Sequence, residues 1–341
     1  MKVYNDIFKD IVSLENLFLA WDEFKKDKRY KIDVQEFEFN LEENIFKLHR
    51  ELDNKTYSHG SYIGFYITDP KLRHIHKATV RDRILHHVVY KVLLPIFEPT
   101  FISNSFSCRK GKGSHKGVEI LSKILRKVSR NNTRTCYALK CDIKKFFDSV
   151  DHLILLEIIS KRIVDNNTLE LLKEIIGSYT SNIFQKKGLP IGNLTSQLFT
   201  NVYMNELDQY IKNKLKIKHY VRYTDDFVIV SEDKNYLMNI LKPISKFLSD
   251  KLLLQLHPKK LSIRKYNQGI DFLGYIIFPQ HKLIRTKTKK RIFRKLKYRK
   301  TEYENNKITK YTYNQSLQSY LGVLSHADAY DFSNDLKNWF I

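Results

Sequence analysis

The 341-residue chain has only three cysteines, Cys108, Cys136 and Cys141. An odd number leaves no closed disulfide framework, and no spacing among them fits a zinc site. A reducing, intracellular compartment is the simplest reading. No run approaches the roughly 18 apolar residues expected of a membrane-spanning helix. The N-terminus, MKVYNDIFKDIV, carries acids and lacks the apolar core of a signal peptide. Internal repeats and low-complexity linkers are missing too. The last shortage is of acid: 37 Asp and Glu stand against 60 Lys and Arg, a formal net charge of +23. That imbalance suits a polyanionic partner, because phosphates attract Lys and Arg and release counterions. A merely basic soluble protein would show the same balance.

What is present is a foldable core and many rings. Hydrophobic residues make up 42% of the chain, with 21 Tyr and 21 Phe. Residues 1–60 carry apolar positions at helical spacing, and 61–80 alternate around Asp69-Pro70 as a β-hairpin would. RDRILHHVVYKVLLPIFE returns to the helical period. CYALKCDI, 136–143, reads as a strand, followed by helical stretches at 151–163 and 168–177. SYTSNIFQKKGLPIG reads as a short strand pair ending in a loop. Residues 195–215 read as a long amphipathic helix, 218–232 as two strands around a tight turn, and 234–251 as a helix. Strands are expected near 260–266 and 270–278. The stretch 282–300 holds eleven Lys or Arg and no acid, which self-repels unless phosphates compensate it. A boundary is set near 280.

Three elements carry chemistry. In Tyr223-Thr224-Asp225-Asp226, apolar strands flank two acids that are unfavourable inside strands and comfortable in turns. A hairpin tip would therefore present adjacent carboxylates, the hard oxygen ligands that Mg²⁺ takes; an isolated Asp-Asp turn is commonly just structural. In LKCDIKKFFDSVDH, strand alternation sets Asp142 on the face opposite Leu139 and Cys141, at the C-terminal end of the strand. Phosphoryl transfer uses two metals about 3.5–4 Å apart, and three carboxylates on two neighbouring strands would hold them. The alternative for Asp142, a helix N-cap, suits Asp148 or Asp151 better. In GLPIGNLTSQLF, Gly188, Pro190 and Gly192 would let backbone approach a ligand, and Thr195 or Ser196 would cap the next helix; an ordinary loop reads the same way.

In order and spacing these pieces, with VRDRILHHVVYKVLLPIFE, FSCRKGKGSH, LHPKK and FLGY, resemble the reverse-transcriptase family over roughly residues 5–335. The resemblance implies an α+β right-hand polymerase: N-terminal helices and helical/β fingers over 1–135, a ferredoxin-like palm sheet over 136–280 with some fingers residues near 165–190, and a short, basic, helical thumb over 281–341. It implies that Asp142, Asp225 and Asp226 are catalytic. With Ile143 they would be the metal positions for two Mg²⁺ ions, Mn²⁺ being a possible substitute. Phe147 would lie under the sugar and exclude a 2′-hydroxyl, unless it is core like its neighbour Phe146. Lys71, Arg73, Ile191, Gly192, Gln197 and Lys260 would face the nucleotide, and Tyr223, Gly274, Arg285, Lys289 and Arg291 the primer and template.

One departure narrows the subfamily. Where most retroviral and intron-type enzymes carry Gln-Gly-x-x-x-Ser-Pro, this chain has Ile191-Gly192, three residues, then Ser196-Gln197. That pattern resembles the reverse transcriptases of diversity-generating retroelements, group II intron-like enzymes that copy a template-repeat RNA with errors at adenines for targeted protein diversification. Ile191 offers no hydrogen bond near the incoming nucleotide, so mispairs would be rejected less strictly. The implied partners are a structured template RNA, a DNA or RNA primer, dNTPs and a small basic oligomeric accessory protein, with no membrane, in a bacterial, archaeal or phage-host cytoplasm. The rivals are an antiviral-defence or intron-like reverse transcriptase without targeted mutagenesis, and a non-catalytic RNA-binding relative.

Overall fold

The computed structural model describes residues 2–69, 71–182 and 184–340. The chain divides into two compact units: Met1–Ser103, Ile143–Lys216 and Pro243–His257 form the first, and Asn104–Asp142, Ile217–Lys242 and Pro258–Ile341 the second. Among the described residues no helix is long and apolar enough to cross a membrane.

The first unit begins with α1 (Phe8–Val12), α2 (Leu14–Phe24), α3 (Ile32–Phe39) and α4 (Leu41–Asp53). The hairpin β1 (Ile63–Ile67) and β2 (Arg73–Lys77) follows, paired antiparallel from Ile63↔Lys77 to Ile67↔Arg73. Next comes α5 (Val80–Phe97), started by the Thr79 side chain accepting from the Asp82 amide. Its Ile84, Leu85, Val88, Val89 and Leu93 are fully buried, and it packs on α2 and on α10 (Leu194–Gln209). Burying each such side chain stabilises the unit by roughly 1.5–3 kcal/mol. The short α7 (Phe146–Ser149), α8 (His152–Ser160) and α9 (Asn166–Gly177) complete it. Asp151 caps α8 through Leu153 and Ile154 amides, as the acid-before-helix pattern suggests.

Three expectations need correction here. The stretch after α9 holds no strand pair among the described residues, only single bridges, Asn182↔Gln185 and Asp151↔Lys187. Its backbone is used elsewhere: the Gly188 amide donates to the Val150 carbonyl at 2.8 Å and the Leu189 amide to Phe147 at 2.8 Å. The helix α10 is not amphipathic, because Ser196, Leu198, Phe199, Val202, Met204 and Leu207 are all buried, so its apolar and small polar residues go round the whole helix. Nor does Thr195 or Ser196 cap it. The N-cap residue is Asn193, whose side-chain amide donates to the His76 carbonyl at 3.3 Å, while the Thr195 hydroxyl lies 3.3 Å from His86 Nδ1.

The second unit is built on a four-stranded antiparallel sheet of β3 (Tyr137–Asp142), β4 (Tyr220–Tyr223), β5 (Asp226–Ser231) and β6 (Ser262–Lys265), in the order β4-β5-β3-β6. Helices join β3 to β4, and α11 (Lys234–Leu252) joins β5 to β6. That is the β-α-β-β-α-β, ferredoxin-like order. A helix absent from the sequence reading, α6 (Ser114–Val128), lays Val118, Leu121, Leu125 and Val128 into one core with Ala138, Val228 and Val230 of the sheet. A three-stranded sheet of β7 (Ile270–Phe272), β8 (Tyr275–Ile277) and β9 (Lys282–Ile284) follows. Last come α12 (Thr286–Glu304), α13 (Lys310–Leu324) and α14 (Tyr330–Phe340). The basic stretch 282–300 is thus part strand, part helix, and Ile292 and Leu296 of α12 are fully buried in that core.

Candidate active site

Register places the acids. Antiparallel pairing sets Asp142, the last residue of β3, directly opposite Asp226, the first of β5. Tyr223 pairs with Asp226 from the other side, which leaves Thr224 and Asp225 as the two-residue turn. Thr224 takes a left-handed backbone, φ 54°, unfavourable for a β-branched residue. Two contacts hold it there: its hydroxyl donates to Ser107 Oγ at 2.6 Å, and the fully buried Arg222 donates to its carbonyl at 3.0 Å. The sequence reading passed over both Ser107 and Arg222. An Arg between Val221 and Tyr223 in an apolar strand was the available signal.

Lysines stand against these carboxylates. Lys260 donates to Asp142 Oδ1 at 2.7 Å, and Lys140 Nζ lies 3.4 Å from Asp226 Oδ2. Lys140 also donates to the Asp271 carbonyl on β7 at 2.9 Å, and Asp271 pairs with Arg285. Lys140 was missed too, although two-residue alternation places it on the same strand face as Asp142. Burial pushes the Asp226 carboxyl up to about 6, with Asp142 and Asp225 pushing the same way against Lys140. The neighbouring Cys141 thiol is pushed up to about 12 by burial and then by Asp226 and Asp142, so it stays protonated and unreactive. All three cysteines are free.

The donor set fits a hard divalent cation. Asp226 Oδ1 is buried with no hydrogen-bond partner, and carboxylate oxygens are the ligands such ions take. Among the described residues no three His, Cys, Asp or Glu side chains are drawn together as a ready metal centre. Asp142 and Asp226 are turned instead to the ammonium groups of Lys260 and Lys140.

A second set gathers within the first unit. The His76 amide on β2 donates to the Ile191 carbonyl at 3.0 Å. Gly192 has φ 119°, and a Cβ there would lie 2.9 Å from Ile75 Cγ2, so the hairpin sits too close for a side chain. Phe146 is buried and Phe147 half-buried, their rings at 69°. The Leu189 amide bonds the Phe147 carbonyl. The hairpin, the 188–193 loop and the Phe147 segment are therefore one constellation, with Gln197 half-buried on α10. Lys71 and Arg73 stand exposed on the hairpin, beside Pro70, which lies outside the described residues. Ile143 is buried and bridges Leu256.

The remaining expected residues lie in the second unit. Leu273 and Gly274, φ 50° and 92°, form the β7–β8 turn, the double positive φ of a type I′ hairpin. The Arg285 amide donates to the Gly274 carbonyl at 3.0 Å. Lys289 lies over the Phe332 ring at 5.6 Å, and Arg291 is half-buried on α12.

The fold and the acids define the class: an α+β protein whose ferredoxin-like sheet sets Asp142 opposite Asp226, beside Asp225 in the turn, oxygen donors of the kind metal-assisted phosphoryl chemistry uses. A family model described as reverse transcriptase (RNA-dependent DNA polymerase) matches residues 68–277. The chain belongs to that reverse-transcriptase family. It is 27% identical to Protein YkfC of Escherichia coli over 255 residues, covering 64% of this chain and 65% of the relative. It is 25% identical to the group II intron-encoded protein LtrA of Lactococcus lactis over 305 residues, covering 69% and 50%. The putative COX1/OXI3 intron 2 protein of Saccharomyces cerevisiae is 24% identical over 256 residues. The chain spans between half and two thirds of the first two relatives.

Proposed function

We propose that the chain is an RNA-directed DNA polymerase that makes cDNA. The observation carrying this is the register that faces Asp142 to Asp226 across adjacent strands, with Asp225 in the turn beside them. In this reading residues 1–135 act as N-terminal helices and fingers, 136–280 as palm and 281–341 as thumb. Asp142, Asp225 and Asp226, with the Ile143 backbone, would hold the cations. Two divalent ions there, Mg²⁺ or Mn²⁺, would polarise the attacking 3′-hydroxyl and the leaving phosphate. Lys260, once its bond to Asp142 is exchanged, supplies a charge for the triphosphate, joined by Lys71 and Arg73 of the hairpin. Phe147 excludes the 2′-hydroxyl. Tyr223 and Gly274 support the primer end, and Arg285, Lys289 and Arg291 neutralise duplex phosphates. Primer extension on an RNA template with dNTPs and Mg²⁺ tests this, with Asp225→Ala as the control. No extension by the natural chain would end the catalytic reading.

A finer reading rests on Ile191-Gly192 and Ser196-Gln197: an error-prone copier of a template-repeat RNA, working with a small basic accessory protein in mutagenic retrohoming. The loop is strapped to the hairpin by its main chain, so its backbone is fixed while its side chain offers no hydrogen bond. The relatives matched include intron-encoded proteins by name, so this subtype rests on the loop alone. Sequencing cDNA copied from a known RNA tests it: errors concentrated opposite adenine support it, and a flat error spectrum removes it.

A further inference from the structure

The segment FSCRKGKGSH, which the polymerase reading leaves without a task, leads into α6 beside a cavity of about 440 Å³ within the second unit. Four separate elements converge on it. The segment and the first turn of α6 supply Lys112, His115 and Lys116, β9 supplies Lys282, the loop after α13 supplies His326, and Tyr275 of β8 forms a wall. The rings of His115 and His326 are 3.8 Å apart between centroids, and His115 meets the Tyr275 ring edge-on. The loop is fixed to the strand by the Asp328 amide, which donates to the Lys282 carbonyl at 2.7 Å. One acid, Glu119, also lines the cavity. Its two oxygens are held by Lys116 at 3.0 Å and Lys123 at 2.5 Å, and Lys112 lies over the Phe106 ring at 5.4 Å, while Lys282 and the imidazoles of His115 and His326 share the remaining space. A proton on His115 is disfavoured here in the protein alone, by burial first and then by His326 and Lys282. An anion entering the space reverses that cost, and imidazole and ammonium are both donors to phosphate oxygens.

We propose that this cavity is a phosphate-binding site. The phosphate is either one group of a nucleic-acid backbone or a free phosphate, and the chemistry recognised is the same. The inference draws on the polymerase reading only for its nucleic-acid probe. The experiment uses the full chain without dNTPs or divalent metal, so an inactive polymerase still reports. Binding of a labelled RNA–DNA primer–template is followed by anisotropy across salt for the natural chain, for Lys282→Gln with His326→Gln, and for the exposed control Lys246→Gln. The natural chain is also titrated with inorganic phosphate and with pyrophosphate while the imidazole resonances of His115 and His326 are read by NMR, which needs no variant to fold. A backbone phosphate gives a loss of about 5- to 20-fold in duplex affinity at low salt and a salt slope reduced by about 1, with the control unchanged. A free phosphate gives shifted imidazole resonances at millimolar phosphate or pyrophosphate, with the duplex slope unchanged. Imidazole resonances that do not move, together with an unchanged duplex slope, overturn the site.

Discussion

Replacing Asp226 by Asn should make the protein more stable, and only above a definite pH. The Asp226 carboxyl is raised from 3.8 to about 6, first by burial and then by the carboxylates of Asp142 and Asp225. The folded state therefore holds this proton more tightly than the unfolded state. Its contribution to stability is fully present below pH 3.8 and is lost as pH rises through about 6. A rise of about two units, at about 1.4 kcal/mol per unit, makes the ionised carboxylate cost about 3 kcal/mol at neutral pH. Asn is nearly the same shape and has no charge to desolvate. Lys140 is not stranded by the change, because it keeps the Asp271 carbonyl at 2.9 Å. Urea unfolding in EDTA should show no difference between variant and natural chain near pH 3, and an advantage to Asn of about 2–3 kcal/mol at pH 7.5. Adding Mg²⁺ should then stabilise the natural chain, since a ligand that binds only the folded state adds RT ln(1 + [L]/Kd), and leave the variant unmoved. A difference that stays flat with pH, or that favours Asp at pH 7.5 without metal, would refute the account of a desolvated, like-charge carboxylate site.

Other perturbations separate the proposed roles. Phe147→Val should raise ribonucleotide incorporation by about 10- to 100-fold relative to deoxynucleotides in primer extension, because the steric exclusion of the 2′-hydroxyl is lost; unchanged discrimination would return Phe147 to core packing. Ile191→Gln should lower misincorporation opposite adenine in sequenced cDNA, and an identical error spectrum would sink the loop reading. Lys140→Ala should raise the Mg²⁺ concentration needed for half-maximal extension, because Asp226 loses its tether to β7, and Lys140→Arg should recover part of it; equal metal dependence in all three would leave Lys140 without a role in positioning. Lys289→Gln with Arg291→Gln should lower the salt slope of duplex binding by about 0.9 per lost phosphate contact. Point substitutions serve here because Ile292 and Leu296 of the same helix are core.

Local periodicity made most elements legible. The β4–β5 hairpin and its acids could be read because Tyr220 to Tyr223, apolar but for Arg222, and the apolar run Phe227 to Val230 are broken at one acidic turn. The helix α6 escaped although Val118, Leu121, Leu125 and Val128 keep helical spacing, because the Lys- and Gly-rich approach to it reads as loop. The all-round burial of α10 was hidden for a different reason. Thr200, Asn201, Asn205 and Asp208 are polar by type yet buried, and a polar residue in a sequence does not declare that its partners will be internal. What lay out of reach were cross-strand facts. That Lys140 stands near Asp226 depends on register between β3 and β5, and that the His76 amide bonds Ile191 depends on a hairpin folding back over more than a hundred residues. Neither leaves a periodic trace.

The division of the chain bears on how copying errors could be tuned. The carboxylates Asp142, Asp225 and Asp226 belong to one compact unit, and Phe147, Ile191 and Gly192 to the other, with the crossing between Asp142 and Ile143. On the proposed reading, the residues that perform transfer and the residues that judge the nucleotide are therefore packed into different cores. Ile191 is half-buried and holds β2 through its carbonyl rather than its side chain, so an exchange there leaves the strap intact and alters only what the loop presents. Asp226, by contrast, is nested between β3 and β4, where any exchange is felt by the sheet. On that reading, selectivity would be open to change by single substitutions at little cost in folding, while the transfer chemistry would be tied to the stability of its sheet. That asymmetry would suit the error-prone copier proposed above.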